Sequence, residues 1–180
     1  MAKPQKPTAP TKPSKAPAKK AAGFLPEGYE PPKGASSYFK FQAGENKFRV
    51  LDNVVVGWVE WIDDKPVRTE EQPEEAYDEE NPPSHFWGMK VYDYSDGQVK
   101  ILEMTQKSIQ KALAALNEDE DWGSPLDYDI KVTKTGEKLT TKYAVTPLPK
   151  KPLSKDVIKA HEAKPCDLEA LFEGADPWAA

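Results

Sequence analysis

The stretch Phe86–Thr105, FWGMKVYDYSDGQVKILEMT, constrains the fold of this chain more than any other. Two β-rich runs flank Ser95-Asp96-Gly97, and glycine accepts the positive φ that a tight hairpin turn demands. Successive strand side chains point to opposite faces, so the first run divides by parity. Trp87, Met89 and Val91 fall on one face and read as core. Phe86, Gly88, Lys90, Tyr92 and Tyr94 fall on the other, where flat rings alternate with a cation and a glycine leaves room. Such a face can stack unpaired bases and hold their phosphates. The same rings can instead cover a second core layer or pair across strands. Parity alone does not choose between the two.

The neighbouring segments extend the sheet. Phe39 and Phe41 alternate with polar residues, NKFRVLDN places Phe48 and Val50 on one face, and VVVGWVEWI at 54–62 is a further strand. Gly57 inside that strand predicts a bulge or sharp bend, as in a long coiled first strand. Trp58 and Trp61 differ in parity, so one ring faces the core and the other lies near the surface. Lys65–Arg68 reads as a short strand or flap. An acidic loop follows, with Glu70, Glu71, Glu74, Glu75, Asp78, Glu79 and Glu80 close together. It reads as a gate, a steering rim, a partner surface or a plain solvated loop.

Beyond the hairpin the period changes. Ile109, Ala112, Leu113 and Leu116 recur at helical spacing, with Thr105 as N-cap and Gly123 and Pro125 as the stop. Tyr128, Ile130 and Val132 then alternate, Lys134–Lys138 forms a charged turn, and Thr141, Tyr143 and Val145 mark the returning strand. The order is strand, strand, strand, helix, strand, strand. This predicts a mainly β chain: a five-stranded closed OB-fold barrel with one helix between strands 3 and 4. In that fold the face of strands 2 and 3, with adjoining loops, binds single strands.

Charge is segregated along the chain, which matters more than the net −5. Residues 1–22 carry six lysines among proline, alanine and threonine and no acid, so residues 1–36 read as a disordered basic arm and linker. The barrel spans 37–149. Residues 150–180 read as a short helix from Ser154, with Val157 and Ile158 as apolar contacts, and an acidic tail. In that tail Asp167, Glu169, Phe172, Glu173, Asp176 and Trp178 are candidate partner contacts. Alternatively, Leu168, Leu171 and Phe172 form a small helix that caps the domain. One cysteine, Cys166, excludes an intramolecular disulfide and suits a reducing, cytoplasmic compartment. No run approaches the length of a membrane span, and no secretory signal is evident.

Between Tyr38 and Pro149 the chain resembles bacteriophage single-stranded DNA-binding proteins of the OB-fold, helix-destabilising kind. The resemblance lies in FRVLDNVVVGWVEW, HFWGMKVYDY, ILEMTQKSIQKAL, DEDWGSPLDYDIKV and KYAVTPLP, followed by an acidic tail. It implies sequence-independent coating of single strands in replication and recombination, self-association on DNA, and replication or recombination proteins as partners of the tail. For a phage-encoded chain the compartment is the host bacterial cytoplasm. The chain departs from family members that carry a Cys/His zinc cluster, since Cys166, His85 and His161 do not form one.

The residue reading assigns base stacking to Phe86, Tyr92, Tyr94 and one of Trp58 and Trp61. Phosphate contacts fall to Arg68, Lys90, Lys100, Lys131, Lys134 and Lys138. No G-x-S-x-G, Walker A, H-E-x-x-H or paired C-x-x-C motif occurs, so neither an enzyme nor a cofactor or metal is expected. The enzymatic alternative is a metal-dependent nuclease built on clustered acids. The rival from another class is an acidic interaction module, such as a DNA mimic that presents carboxylates to a DNA-binding protein.

Overall fold

The computed structural model describes residues 36–180. The basic arm read over 1–36 lies outside the described residues apart from Ser36. The predicted hairpin forms as β4 (Ser84–Asp93) and β5 (Gln98–Met104), in register from Trp87 opposite Met104 to Asp93 opposite Gln98. On its other edge β4 serves two strands. Its first half pairs with β2 (Val55–Ile62) and its last residues with β1 (Gly44–Val50). β1 and β2 thus behave as one long strand interrupted at 51–54. The interruption, not Gly57, makes the bend. Leu51 N–H still donates to the Lys90 carbonyl at 2.9 Å, which keeps the broken strand on β4.

Chain reversal after β2 uses Asp63 and Asp64, both at positive φ, and leads into β3 (Lys65–Thr69). Two successive residues at positive φ give the turn a twist that matches a two-residue hairpin. β6 (Ile130–Thr135) pairs with β1, and β7 (Lys142–Pro147) pairs with β6. The result is one antiparallel sheet of seven strands rather than a closed barrel of five. The two additional strands come from the break at 51–54 and from β3.

The sheet stays open because no ladder joins β5 to β7. Ser37–Phe41 fills the gap. Phe39 N–H donates to the Ile101 carbonyl at 2.8 Å, and Ile101 N–H to the Ser37 carbonyl at 2.9 Å. The Phe41 ring then meets Tyr143 of β7 edge-on at 5.6 Å.

Inside the curved sheet, Phe48, Val50, Met89, Val91, Leu102, Met104, Ile130 and Val132 form the main core with Tyr128. Ile109 and Leu113 of α1 (Lys107–Glu118) enter it along the predicted apolar stripe. The helix takes Gln106 rather than Thr105 as its N-cap, and that side chain makes no capping bond. Its first turn is anchored instead by the buried Gln110, whose amide donates to the Met104 carbonyl at 2.8 Å and the His85 carbonyl at 3.1 Å. The helix runs through Glu118 with Asp119 as its C-cap, so the first of the acids sit against the negative end of its dipole.

A second layer covers the outer face of β2, β4 and β5. It consists of α2 (Lys155–Ala163), capped by Ser154, and two 3-10 turns at Leu168–Leu171 and Pro177–Ala179. Leu168 and Leu171 bury against Phe86 and Ile101, with Val55, Val59, Phe172 and Trp178 around them. Leu51, Val99 and Val157 make an adjoining cluster edged by Tyr92 and Leu153. Two glycines make this seating possible. A Cβ at Gly57 would lie 2.6 Å from the Phe172 ring, and one at Gly88 would lie 3.1 Å from Leu171 Cδ1. The segment after 150 is therefore packed structure, and the capping alternative describes it better than a free tail does. No helix among the described residues is long and apolar enough to cross a membrane.

If the cover is integral, Leu171→Ala should cost about 2–5 kcal/mol of stability. Gly57→Ala should cost about 1–3 kcal/mol through overpacking. Urea unfolding followed by tryptophan fluorescence measures both; a dispensable tail would leave the Leu171→Ala midpoint at the wild-type value, whereas Gly57→Ala also presses on the Thr69 carbonyl of β3.

Candidate nucleic-acid interface

The face assigned to bases in the sequence is not open in the structure. Phe86 is fully buried beneath the C-terminal cover. Lys90 is buried as well, and its ammonium donates to the His161 carbonyl at 3.0 Å. Burial pushes the Lys90 pKa down, because the charged form loses its hydration. The physical reason is the neighbourhood. Phe86 shares its face with Ile101, Val55 and Val59, too much apolar surface to leave wet. Tyr92 is half-buried against the same cover and meets Tyr94 edge-on at 5.1 Å.

Half of the predicted phosphate ligands hold carboxylates instead. Lys100 is buried between Asp93, at 2.8 Å, and Asp96, at 2.6 Å. Desolvation opposes its charge, but the two carboxylates outweigh it and raise its pKa. Arg68 makes a two-pronged contact with Glu103, at 2.9 and 2.7 Å. Lys131 pairs with the exposed Glu45 at 3.1 Å. Lys134 is half-buried and Lys138 is exposed, both near the β6–β7 turn. Trp58 is half-buried, with its ring 5.1 Å from that of His85, whereas Trp61 on the β2–β3 hairpin is 61% exposed.

The strongest electrostatic feature was not among the predicted residues. Asp129 is fully buried at the start of β6, and three cations converge on it. Arg49 Nη1 lies 3.3 Å from Oδ1, while Lys151 and Lys47 lie 2.9 and 3.5 Å from Oδ2. The Tyr94 hydroxyl donates to Oδ1 at 2.8 Å, and Lys47 Nζ sits 4.4 Å above the Tyr94 ring. Oδ2 has no partner at hydrogen-bonding geometry, so its contacts with the two lysines are ionic. The buried Arg49 also donates to the carbonyls of Leu126 and Lys151, which leaves its guanidinium well satisfied. Burial alone would raise the Asp129 pKa. Its contacts with Lys151, Tyr94 and Arg49 prevail and hold it below the usual carboxylate range. Burial and the bond to Asp129 keep the Tyr94 hydroxyl protonated. A signal for this cluster lies in the sequence, since Lys47 and Arg49 share parity on one strand and Lys150-Lys151 follow the last one.

The C-terminal acids divide in two. Asp167 and Asp176 cap their 3-10 turns, accepting from the backbone N–H of Glu169 and Trp178. Glu169 and Glu173 point to solvent. Phe172 and Trp178 are half-buried, and Lys164 Nζ lies 3.9 Å over the Trp178 ring. On the other side of the sheet, a groove of about 380 Å³ is lined by Val54, Val56, Trp87, Leu113 and Leu126. Asp52 and Glu118 in its lining make it a poor host for phosphate. Among the described residues no group of three His, Cys, Asp or Glu side chains is placed to hold a metal.

Asp129→Asn should destabilise the protein by about 3–5 kcal/mol, because Arg49 would be left buried without its counter-charge. The pH dependence follows from the lowered pKa. The carboxylate stabilises the fold above its unfolded pKa of about 3.9, and the contribution fades as acid protonates it. Acid titration of the stability of both proteins should show wild type losing its advantage only below that range.

No protein family matches the chain, and comparison with curated proteins and with solved structures finds no similar protein.

Proposed function

We propose that this protein binds single-stranded DNA without regard to sequence and coats it during replication or recombination. The observation that carries the reading is the connectivity of the sheet. A long broken first strand is shared between the second strand, β4, and the fourth, β6, with one helix between β5 and β6. That is the strand order of an OB-fold, with β3 as an insertion and the gap between β5 and β7 left open. The lysines of residues 1–22 add phosphate affinity in this reading, and a phage-encoded protein of this kind would work in the host cytoplasm. Exposed Glu169 and Glu173 are the tail residues best placed to meet replication or recombination partners. The protein acts by binding, not by catalysis, and uses no cofactor.

A second reading is supported by the burial of Phe86 and Lys90. With that face covered, the acidic 70–80 loop and the 118–121 run make an acidic interaction module that presents carboxylates to a DNA-binding protein.

Fluorescence anisotropy of labelled oligo(dT), titrated with the full chain at two salt concentrations, separates the readings. Coating predicts single-strand binding that weakens steeply with salt and exceeds binding to duplex. Absence of binding at the lower salt would favour the acidic module.

A further inference from the structure

We infer that the single strand crosses the outer face of β1, β6 and β7, held through its phosphates by Lys47, Lys131, Lys142, Lys150 and Lys151. This inference rests on the single-strand reading and names a different surface from the one expected on β4 and β5.

Register places the lysines on one face. Lys47 lies opposite Lys131, and Lys131 opposite Thr146. Thr133 lies opposite Ala144, and Thr135 opposite Lys142. Directly opposed residues share a face, and neighbouring strands lie about 4.8 Å apart. Lys47 and Lys131 therefore stand side by side, with Lys142 roughly 13 Å further along β7. Between them Thr133, Ala144 and Thr146 make a flat strip of small side chains. Lys150 and Lys151 emerge at the Asp129 end, where Leu148 N–H extends the β6–β7 pairing to the Asp129 carbonyl at 2.9 Å.

Three observations distinguish this face. First, no described residue covers it: Lys142, Ala144 and Thr146 are exposed, whereas the β4–β5 face lies beneath the chain's own C-terminal segment. Second, it holds surplus positive charge. One carboxylate, Asp129, faces Arg49, Lys47 and Lys151, and the two lysines keep 39% and 52% of their side chains in water. Third, Glu45 is the one acid exposed on these strand positions, its 3.1 Å pair with Lys131 lies at the surface where a phosphate can take its place, and the dense acidic runs lie on other segments. Two rings stand at this end of the face, and both are engaged: the Tyr94 hydroxyl is held by Asp129, and Tyr92 packs against the C-terminal cover. The contact is therefore ionic, with little base stacking.

The test uses the full chain and labelled oligo(dT) over a range of salt. Lys131→Ala/Lys142→Ala touches neither Asp129 nor the core, so folding is preserved, as equal urea midpoints will verify. The slope of log K against log salt should flatten by about 1.4, or 0.7 for each lost phosphate contact. Lys107→Ala/Lys111→Ala, which removes two exposed lysines of α1, should leave the slope unchanged. Glu45→Gln should tighten binding by removing the exposed acid on the route and freeing Lys131 from it. If wild type binds while Lys131→Ala/Lys142→Ala keeps its slope and affinity, the route is overturned and the single-strand reading stands. If wild type does not bind, that reading falls and the route falls with it.

Discussion

A strand with apolar side chains on both faces requires two layers, and β4 is that strand. Trp87, Met89 and Val91 point into the curved sheet, where α1 and the other strands receive them. Phe86 points outward beside Ile101 of β5, and burying one such ring stabilises a fold by about 1.5–3 kcal/mol. Sheet curvature meets the first demand only. The second is met by chain that arrives last, after β7, and folds back as α2 and two 3-10 turns. Glycines at 57 and 88 lower the sheet surface just where Phe172 and Leu171 must come close. The C-terminal segment is thus part of the core by its chemistry, although its acids make it read as a solvated tail.

Much of the fold was legible in the residues because periodicity and turn chemistry are local. The hairpin, the helical stripe of Ile109 and Leu113, the Ser154 cap and the order of the main strands follow from side chains within a few positions of one another. The candidate site was less legible because parity is symmetric: it assigns Phe86 and Lys90 to one face without saying whether water or protein lies beyond. A glycine that leaves room for a base looks the same as one that leaves room for Phe172. Lys90 reads as a phosphate ligand because it alternates with flat rings on one strand face. Here its long stem instead carries the ammonium to a carbonyl of α2. Contacts between residues 71 positions apart leave no local mark in the sequence.

Electrostatics divides the molecule along the same line. Acidic residues crowd loops and turns, while the strands β1, β6 and β7 carry lysines at positions that register brings together. Asp129 organises that side. A single buried carboxylate draws Arg49 inward and holds Lys47 and Lys151 at the surface, so that one residue both ties β1 to β6 and concentrates positive charge on one face. A protein with net negative charge can in this way present a local surface of the opposite sign, and the field near that surface governs encounter with a polyanion more than the total does.

The gap between β5 and β7 has a practical meaning for anyone who alters this chain. Its filling comes from Ser37–Phe41, the first few described residues, bonded to Ile101 on one side and touching Tyr143 on the other. Ser36 immediately precedes that seam. A cut a few residues later removes Phe39 and Phe41 together, unpairs the edge of β5 and leaves an adhesive strand, the usual starting point for aggregation. Any cut beyond Ser36 therefore reaches this seam several residues before it reaches the first strand of the main sheet.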